Sequence, residues 1–100
     1  MRYLGEFKKG TMDGLTTVIN KDGQLVYKGL YHDNKKSGLG FFKTSIGTYY
    51  GIFENDQFNG NGTFVWEDKK KAYDGHFYKN KMEGRGKMYY ETSQIIEGEW

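Results

Sequence analysis

The sequence has 100 residues, with no cysteine, no proline, and 15 basic against 13 acidic residues for a net charge of +2. The lack of cysteine excludes disulfides and thiolate metal sites and fits a reducing, intracellular compartment. A charge this balanced argues against nucleic-acid binding, which calls for a strongly basic face. The sequence has no apolar run long enough to span a membrane and no signal-peptide pattern at its start, so we expect a soluble, cytoplasmic protein.

Aromatic residues dominate the apolar content, with nine tyrosines, seven phenylalanines and two tryptophans. Because each ring can bury on the order of 150–250 Å², rings must supply most of any core. Large side chains alternate with polar ones at period two, and no window shows the spacing of an amphipathic helix. The sequence therefore predicts strands and almost no helix.

In chain order, the main pattern is a glycine between two large side chains, which recurs every 22–24 residues. Its copies are Tyr3-Leu4-Gly5-Glu6-Phe7, Tyr27-Lys28-Gly29-Leu30-Tyr31, Tyr49-Tyr50-Gly51-Ile52-Phe53, Tyr73-Asp74-Gly75-His76-Phe77 and Ile96-Glu97-Gly98-Glu99-Trp100. The first four are each followed by a second glycine motif, namely Gly14-Leu15-Thr16, Gly38-Leu39-Gly40, Gly60-Asn61-Gly62 and Gly84-Arg85-Gly86. This period predicts one repeat array over residues 1–100, with four full repeats starting near 3, 27, 49 and 73 and the first strand of a fifth at 96–100.

Each full repeat is predicted to form a β-hairpin. Six residues separate its two motifs, and the third of them is Gly10, Asn34, Asp56 or Asn80, residue types that tolerate positive φ in a turn. The connectors between repeats are too short for crossovers, so successive hairpins must form an antiparallel meander. The predicted fold is all-β, a single layer of about nine strands.

The strand register follows from one assumption, that the six-residue turn sets Phe7 opposite Gly14. One face then carries a row of large side chains, a row of glycines, and a row in which rings alternate with glycines. We expect rings to lean over the glycines and to leave a groove with aromatic walls. The eight-residue spacing from Met88 to Ile96, against seven or nine elsewhere, predicts a bulge near Thr92 to Ile95 that keeps Ile96 on the aromatic face.

This combination of motifs resembles the MORN repeat (membrane occupation and recognition nexus) over essentially the whole chain, with Thr16 and Ile96 as departures. The resemblance implies a non-catalytic scaffold that binds other proteins, often in cytoskeletal, ciliary or membrane-contact assemblies. Since the chain stops at Trp100 after one strand of a fifth repeat, we expect it to be a segment of a longer protein.

An aromatic groove suits an extended peptide, an amphipathic helix or a second copy of the chain. The predicted partner-binding residues are Tyr27, Tyr31, Tyr49, Phe53, Phe64, Trp66, Tyr73 and Phe77. The alternative for these rings is that they only form the core.

A second hypothesis is binding of anionic phospholipid, such as phosphoinositide, at a membrane surface through the hairpin turns. The candidate residues are Lys8, Lys9, Lys35, Lys36, Lys79 and Lys81. The acidic third turn, residues 54–59, interrupts this basic line.

No pattern predicts catalysis, a metal, a cofactor or a small-molecule substrate. His32 and His76 occupy different structural positions and lack companions for a zinc site. The glycine pairs precede no helix, which a phosphate-binding loop requires. The run Lys69-Lys70-Lys71 is predicted to be a solvated connector.

Overall fold

The computed structural model describes residues 1–91 and 94–100, which form one antiparallel sheet in which every strand pairs with its sequence neighbours. The strands are β1 (Arg2–Lys8), β2 (Thr11–Ile19), β3 (Leu25–His32), β4 (Lys35–Lys43), β5 (Gly47–Glu54), β6 (Gln57–Trp66), β7 (Lys71–Tyr78), β8 (Lys81–Tyr90) and β9 (Ile95–Glu99). The described residues include no helix, and the molecule measures 47 × 29 × 15 Å. The predicted fold, a single-layer all-β meander of nine strands, is confirmed.

The hairpin turns contain two residues rather than six. In the first hairpin Lys8 pairs with Thr11 and Phe7 with Met12, so the assumed pairing of Phe7 with Gly14 is wrong. The turn pairs are Lys9-Gly10, Asp33-Asn34, Asn55-Asp56 and Lys79-Asn80, and all eight residues have positive φ. Positive φ at both positions is typical of the type I′ turn, whose twist matches that of the flanking strands. The predicted positive φ at Gly10, Asn34, Asp56 and Asn80 is thus confirmed.

The residues that the turn does not use form a bulge in the second strand of each hairpin. In the first hairpin the register shifts between Gly5, which faces Thr16, and Phe7, which faces Met12. Equivalent shifts occur in the other three hairpins. Each bulge contains a glycine with φ between 82° and 110°, at Gly14, Gly38, Gly60 and Gly84. Bulges of this kind bend the strand and increase its twist, so the sheet is bent at the same point of every repeat.

Two of the three predicted rows cross the sheet as expected. The row of large residues runs Tyr3, Val18, Tyr27, Phe42, Tyr49, Phe64, Tyr73, Met88, Ile96, and the glycine row runs Gly5, Thr16, Gly29, Gly40, Gly51, Gly62, Gly75, Gly86, Gly98. In the third row the pairs between repeats are as predicted, for example Gly38 with Phe53. The pairs within repeats are not, because of the bulges.

The last joint pairs Met88 with Ile96 and Tyr89 with Ile95, which confirms that Ile96 lies on the aromatic face. Ile95 pairs regularly, and the rest of the predicted bulge includes residues 92 and 93, which lie outside the described residues. Directly opposed residues of an antiparallel pair share a face whatever the connector length, so the eight-residue spacing requires no bulge. The described ladders do contain one irregularity between repeats that the sequence did not predict, between Val18 and Ile19 in the pairing of β2 with β3.

Turn residues also tie each hairpin to the one before it. Asn80 accepts a hydrogen bond at Oδ1 from the backbone N–H of Phe58 (2.8 Å) and donates its own N–H to the Phe58 carbonyl (3.1 Å). Asn34 makes the same two bonds to Met12, and Asp56 makes them to Lys36. The sequence predicted these residues from their φ preference alone and missed the contact between repeats.

The core lies on one face of the sheet and runs through all four repeats. Its buried members are Val18, Tyr27, Tyr31, Tyr49, Phe53, Phe64, Tyr73, Phe77 and Met88. The tyrosine that opens a repeat contacts the aromatic residue of its own repeat and that of the next: Tyr49 lies 5.1 Å from Phe53 and 5.0 Å from Phe77, both edge to face. Each repeat therefore completes the core of its neighbour, as in other repeat arrays.

Candidate functional site

The glycine row is covered by tyrosine rings. Tyr27, Tyr49 and Tyr73 are fully buried, and a Cβ added at Gly62 would lie 2.5 Å from the Tyr49 hydroxyl oxygen and 2.6 Å from two of its ring carbons. The Tyr49 hydroxyl donates a hydrogen bond to the Ile52 carbonyl at 2.8 Å. Tyr27 and Tyr73 make the equivalent bonds to Leu30 and His76. The groove expected between two aromatic walls is therefore filled by these rings.

Burial raises the pKa of these phenols above the ordinary value for tyrosine. Loss of solvent raises the pKa of Tyr49 to about 12, against a smaller lowering by its hydrogen bond to Ile52. Burial, followed by the nearby Tyr3 and Asp56, raises the pKa of Tyr31 to about 12. The pKa values of Tyr27 and Tyr73 are raised as well, again mainly by burial. At neutral pH these hydroxyls act only as hydrogen-bonding groups.

A further ring-covering position lies nine residues after each opening tyrosine, at Met12, Lys36, Phe58 and Met82. Phe58 stacks on Tyr49 with ring centroids 3.9 Å apart and planes 3° apart. Lys36 holds its Nζ 4.6 Å from the Phe42 centroid, while Met12 and Met82 pack partly buried against the core. Sequence reasoning assigned these residues to the turns. The signal that it missed is a long side chain at the same offset in every repeat.

The aromatic face remains open between the third and fourth repeats. A cavity of about 420 Å³ lies there, lined by Ile46, Phe58, Phe64, Trp66, Phe77 and Met82, with Asn80 and Lys81 as its polar members. Ile46 is 65% exposed at its mouth. The Trp66 ring packs edge to face on Phe64 at 4.9 Å and carries Lys71 Nζ 4.6 Å from its centroid. We call this site the aromatic pocket: an apolar cavity with the Lys71 ammonium group beside it.

Of the eight predicted partner-binding residues, the structure buries seven: Tyr27, Tyr31, Tyr49, Phe53, Phe64, Tyr73 and Phe77. Trp66 alone keeps intermediate exposure, and it meets Phe64 and Phe77 in the lining of the aromatic pocket. The other five lie in the core, and two of them, Tyr27 and Tyr31, also line a second cavity of about 230 Å³. Whether any of the eight contacts a partner stays a prediction.

The predicted lipid-binding lysines follow the row of hairpin turns along one edge of the sheet. Lys8, Lys9, Lys35, Lys79 and Lys81 are exposed there. Lys36 differs from them, because its side chain is only 19% exposed and its Nζ lies 3.8 Å from Asp56 Oδ1. The Lys36 side chain therefore packs within the second repeat rather than facing solvent. The role of the six lysines in lipid binding stays a prediction.

The titratable groups offer little for chemistry. His32 Nδ1 lies 3.2 Å from Asp13 Oδ2 on the neighbouring hairpin, with the histidine side chain 68% exposed. Within residues 1–91 and 94–100, no three histidine, cysteine, aspartate or glutamate side chains come together in a way that would hold a metal ion. The same described residues contain no helix of the length and apolarity needed to cross a membrane.

The two-residue turns, the bulge glycines and the rings shared between neighbours define a tandem β-hairpin array, a class of repeat module with a continuous core. The MORN repeat family model matches residues 3–15, 27–48, 49–71 and 73–94, and the chain therefore belongs to the MORN repeat family. Members of this family are non-catalytic modules that bind proteins or membranes. A search of curated proteins gave no match.

Proposed function

We propose that this chain is a non-catalytic scaffold module that binds a partner protein at the aromatic pocket. The observation that carries the proposal is the pocket itself: an apolar cavity of about 420 Å³ on the aromatic face of the sheet. Pre-formed rings lose little conformational entropy on binding, and aromatic residues are typical anchors of protein interfaces. The expected ligand is an amphipathic helix or an extended peptide that inserts one large apolar side chain into the pocket.

Charge beside the pocket specifies the ligand further. The Lys71 ammonium group lies 4.6 Å from the centroid of the Trp66 ring. Acidic residues next to the apolar anchor would pair with this ammonium group and speed association. The expected ligand is therefore an acidic amphipathic segment.

The repeat pattern separates the proposed role of Trp66 from a role in folding. Trp66 stands two residues after Phe64, and the same offset gives Asn20 in the first repeat, Thr44 in the second and Tyr90 in the fourth. Because two of the four repeats carry asparagine or threonine there, a hairpin of this fold does not need a ring at this position. Trp66→Thr thus removes the pocket wall with a residue that the fold already tolerates.

The test is a displayed peptide library selected on the chain, with the affinity of selected peptides measured by calorimetry for wild type, Trp66→Thr and a control. Tyr78→Thr is the matched control, since Tyr78 is a 46% exposed ring on the opposite face. We expect the selection to yield acidic amphipathic peptides. Their affinity should fall at least about tenfold, near 1.4 kcal/mol, for Trp66→Thr and should stay unchanged for the control. Equal binding by all three proteins, or a loss that follows unfolding, contradicts the proposal.

We further propose that the protein acts in the cytoplasm, in a cytoskeletal or ciliary assembly. The cysteine-free composition and the family support this location. Imaging of the tagged full-length protein tests it, and secretion or a diffuse signal unrelated to any filament counts against it.

A second candidate function is binding to anionic phospholipid, which the line of exposed turn lysines favours. Each lysine near an anionic surface contributes about 1 kcal/mol. The test is co-sedimentation with vesicles that contain phosphoinositide, compared with neutral vesicles. Salt-sensitive binding that is lost on neutralising Lys8, Lys9 and Lys79 supports this function, and equal association with both vesicle types removes it.

A further inference from the structure

The face opposite the rings carries a stripe of exposed aliphatic side chains on strands β2–β5. Leu15, Leu30, Leu39 and Ile52 are 54%, 42%, 64% and 38% exposed. Leu15 pairs directly with Leu30, and Leu39 with Ile52. Leu30 follows Gly29, and Leu39 precedes Gly40. Because Gly29 pairs with Gly40, the two leucines are also neighbours across β3 and β4. We call these four residues the leucine stripe.

The ring pair Phe41–Tyr50 extends the stripe into the next row of the same face. Their centroids are 4.9 Å apart, and Tyr50 is 49% exposed. The stripe itself carries no charge.

The fold does not require aliphatic residues at these positions. The pairs equivalent to Leu15–Leu30 and Leu39–Ile52 are Asn61–His76 at the third joint and Arg85–Glu99 at the fourth. The same sheet geometry therefore accepts polar and charged residues. A contiguous exposed apolar patch with no structural need is a mark of an interaction site.

We infer that the leucine stripe is the centre of an interface between two copies of this chain, packed sheet against sheet about a twofold axis. The best complement to an uncharged sheet face is an identical face at about 10 Å. A twofold axis through the stripe sets aliphatic residues against aliphatic residues in both directions. No charge on the stripe opposes this contact.

The exposed apolar area supplies about three quarters of what a dimer needs. At roughly 200 Å² for a fully exposed large side chain, the stripe with Leu4 and Tyr50 exposes on the order of 600 Å². A stable interface buries about 800 Å² per partner, and the polar rim of the contact would supply the remainder.

This inference does not rest on the proposed function. If both hold, the dimer carries two aromatic pockets on its outer faces and binds a bivalent partner with increased avidity.

Sedimentation velocity tests the inference with the whole chain at about 1 to 200 µM, the range of a modest interface. We expect wild type to shift from an 11.7 kDa monomer to twice that mass as concentration rises. The double variant Leu15→Asn/Leu39→Asn carries the residue that Asn61 supplies at the same site, and it should stay monomeric with its thermal transition kept. The matched control Arg85→Asn changes the same site in the polar half and should dimerise as wild type does.

A second experiment does not depend on weakening the contact. The chain has no cysteine, so Leu39→Cys and Arg85→Cys each introduce a single thiol for a short bismaleimide crosslinker. We expect crosslinked dimer from Leu39→Cys and little from Arg85→Cys, a result that decides the matter even if the asparagine variant unfolds. A wild-type chain that stays monomeric, whether or not the stripe binds vesicles or another protein, overturns the inference. Dimerisation retained by a folded double variant, or equal crosslinking at both sites, overturns it too.

Discussion

The glycine row offers the sharpest test of how this fold is stabilised, through the substitution Gly62→Ala. Gly62 faces Gly51 across β5 and β6 and lies beneath the Tyr49 ring. The added Cβ would lie 2.5 Å from the Tyr49 hydroxyl oxygen and 2.6 Å from ring carbons Cε1 and Cζ. Since carbon atoms rest about 3.5–4.0 Å apart, the ring must move by roughly 1 Å.

The cost follows from what that movement breaks. Overpacking of a closed site costs about 1–3 kcal/mol. Displacement of the ring also weakens the hydrogen bond from Tyr49 to the Ile52 carbonyl, which is worth about 1 kcal/mol. We expect Gly62→Ala to lower the free energy of unfolding by about 2–4 kcal/mol, a large part of the roughly 5–15 kcal/mol of a typical domain.

Gly98 supplies the matched control within the same row. It faces Gly86 at the last joint, but a Cβ added there meets no atom within 4 Å. Gly98→Ala should therefore be neutral or stabilising by about 0.5–1 kcal/mol, because it only removes the flexibility of glycine. Urea denaturation followed by circular dichroism gives both values, and the near-ultraviolet tyrosine signal reports on the ring.

A double-mutant cycle with Tyr49→Leu assigns the effect to the ring. Leucine lacks the hydroxyl end that reaches Gly62, so most of the cost of Gly62→Ala should disappear in that background, with a coupling energy of about 1–3 kcal/mol. Two results refute the reasoning: Gly62→Ala within about 0.5 kcal/mol of Gly98→Ala, or an undiminished cost when Tyr49 is leucine.

Three further predictions concern the turns, the phenols and the ring-covering position. Asn80→Gly should cost about 1 kcal/mol in urea denaturation by removing the hydrogen bond to Phe58, and Asn80→Ala about 1–2 kcal/mol more because its φ is 70°; equal values contradict this. Between pH 10 and 12 the unfolded chain releases phenol protons that folded Tyr31 and Tyr49 retain. Stability should thus fall by about 1.4 kcal/mol per pH unit for each, and Tyr49→Phe should make the decline shallower; an unchanged slope contradicts burial of its hydroxyl. Lys36→Met should change the free energy of unfolding by less than about 1 kcal/mol, because Met12 and Met82 occupy the equivalent position in the first and fourth repeats; a larger loss would show that the Lys36 ammonium is needed.

The sequence predicted the features that a side chain's chemistry determines locally. Tyrosine and glycine at fixed spacing specified the strands and the two long rows, and Gly10, Asn34, Asp56 and Asn80 specified the turn positions with positive φ. Its error was the hairpin register. A type I′ turn closes in two residues, and the pair Asn55-Asp56 is typical of one, but lysine at the first position of two other turns obscured that signal.

Features that depend on neighbours in three dimensions were harder to predict. The sequence predicted that rings cover glycines, yet it took the register to show that Tyr49 reaches Gly62 and so fills the groove. The offset that places Phe58 on Tyr49 depends on the bulge, which adds residues to one strand only. The leucine stripe was not predicted, because its four members lie on four separate strands that only the register brings together.

The edge-to-face contacts between successive repeats have a consequence for how the chain comes apart. Tyr49 touches rings only in its own repeat and the adjacent ones, so the energy of the array is a sum of nearest-neighbour terms, and unfolding can start at either end and advance one hairpin at a time. Cooperativity then depends on every junction being intact. A defect at a central junction should split one calorimetric transition into two, with each half melting at a temperature set by the number of repeats that it retains.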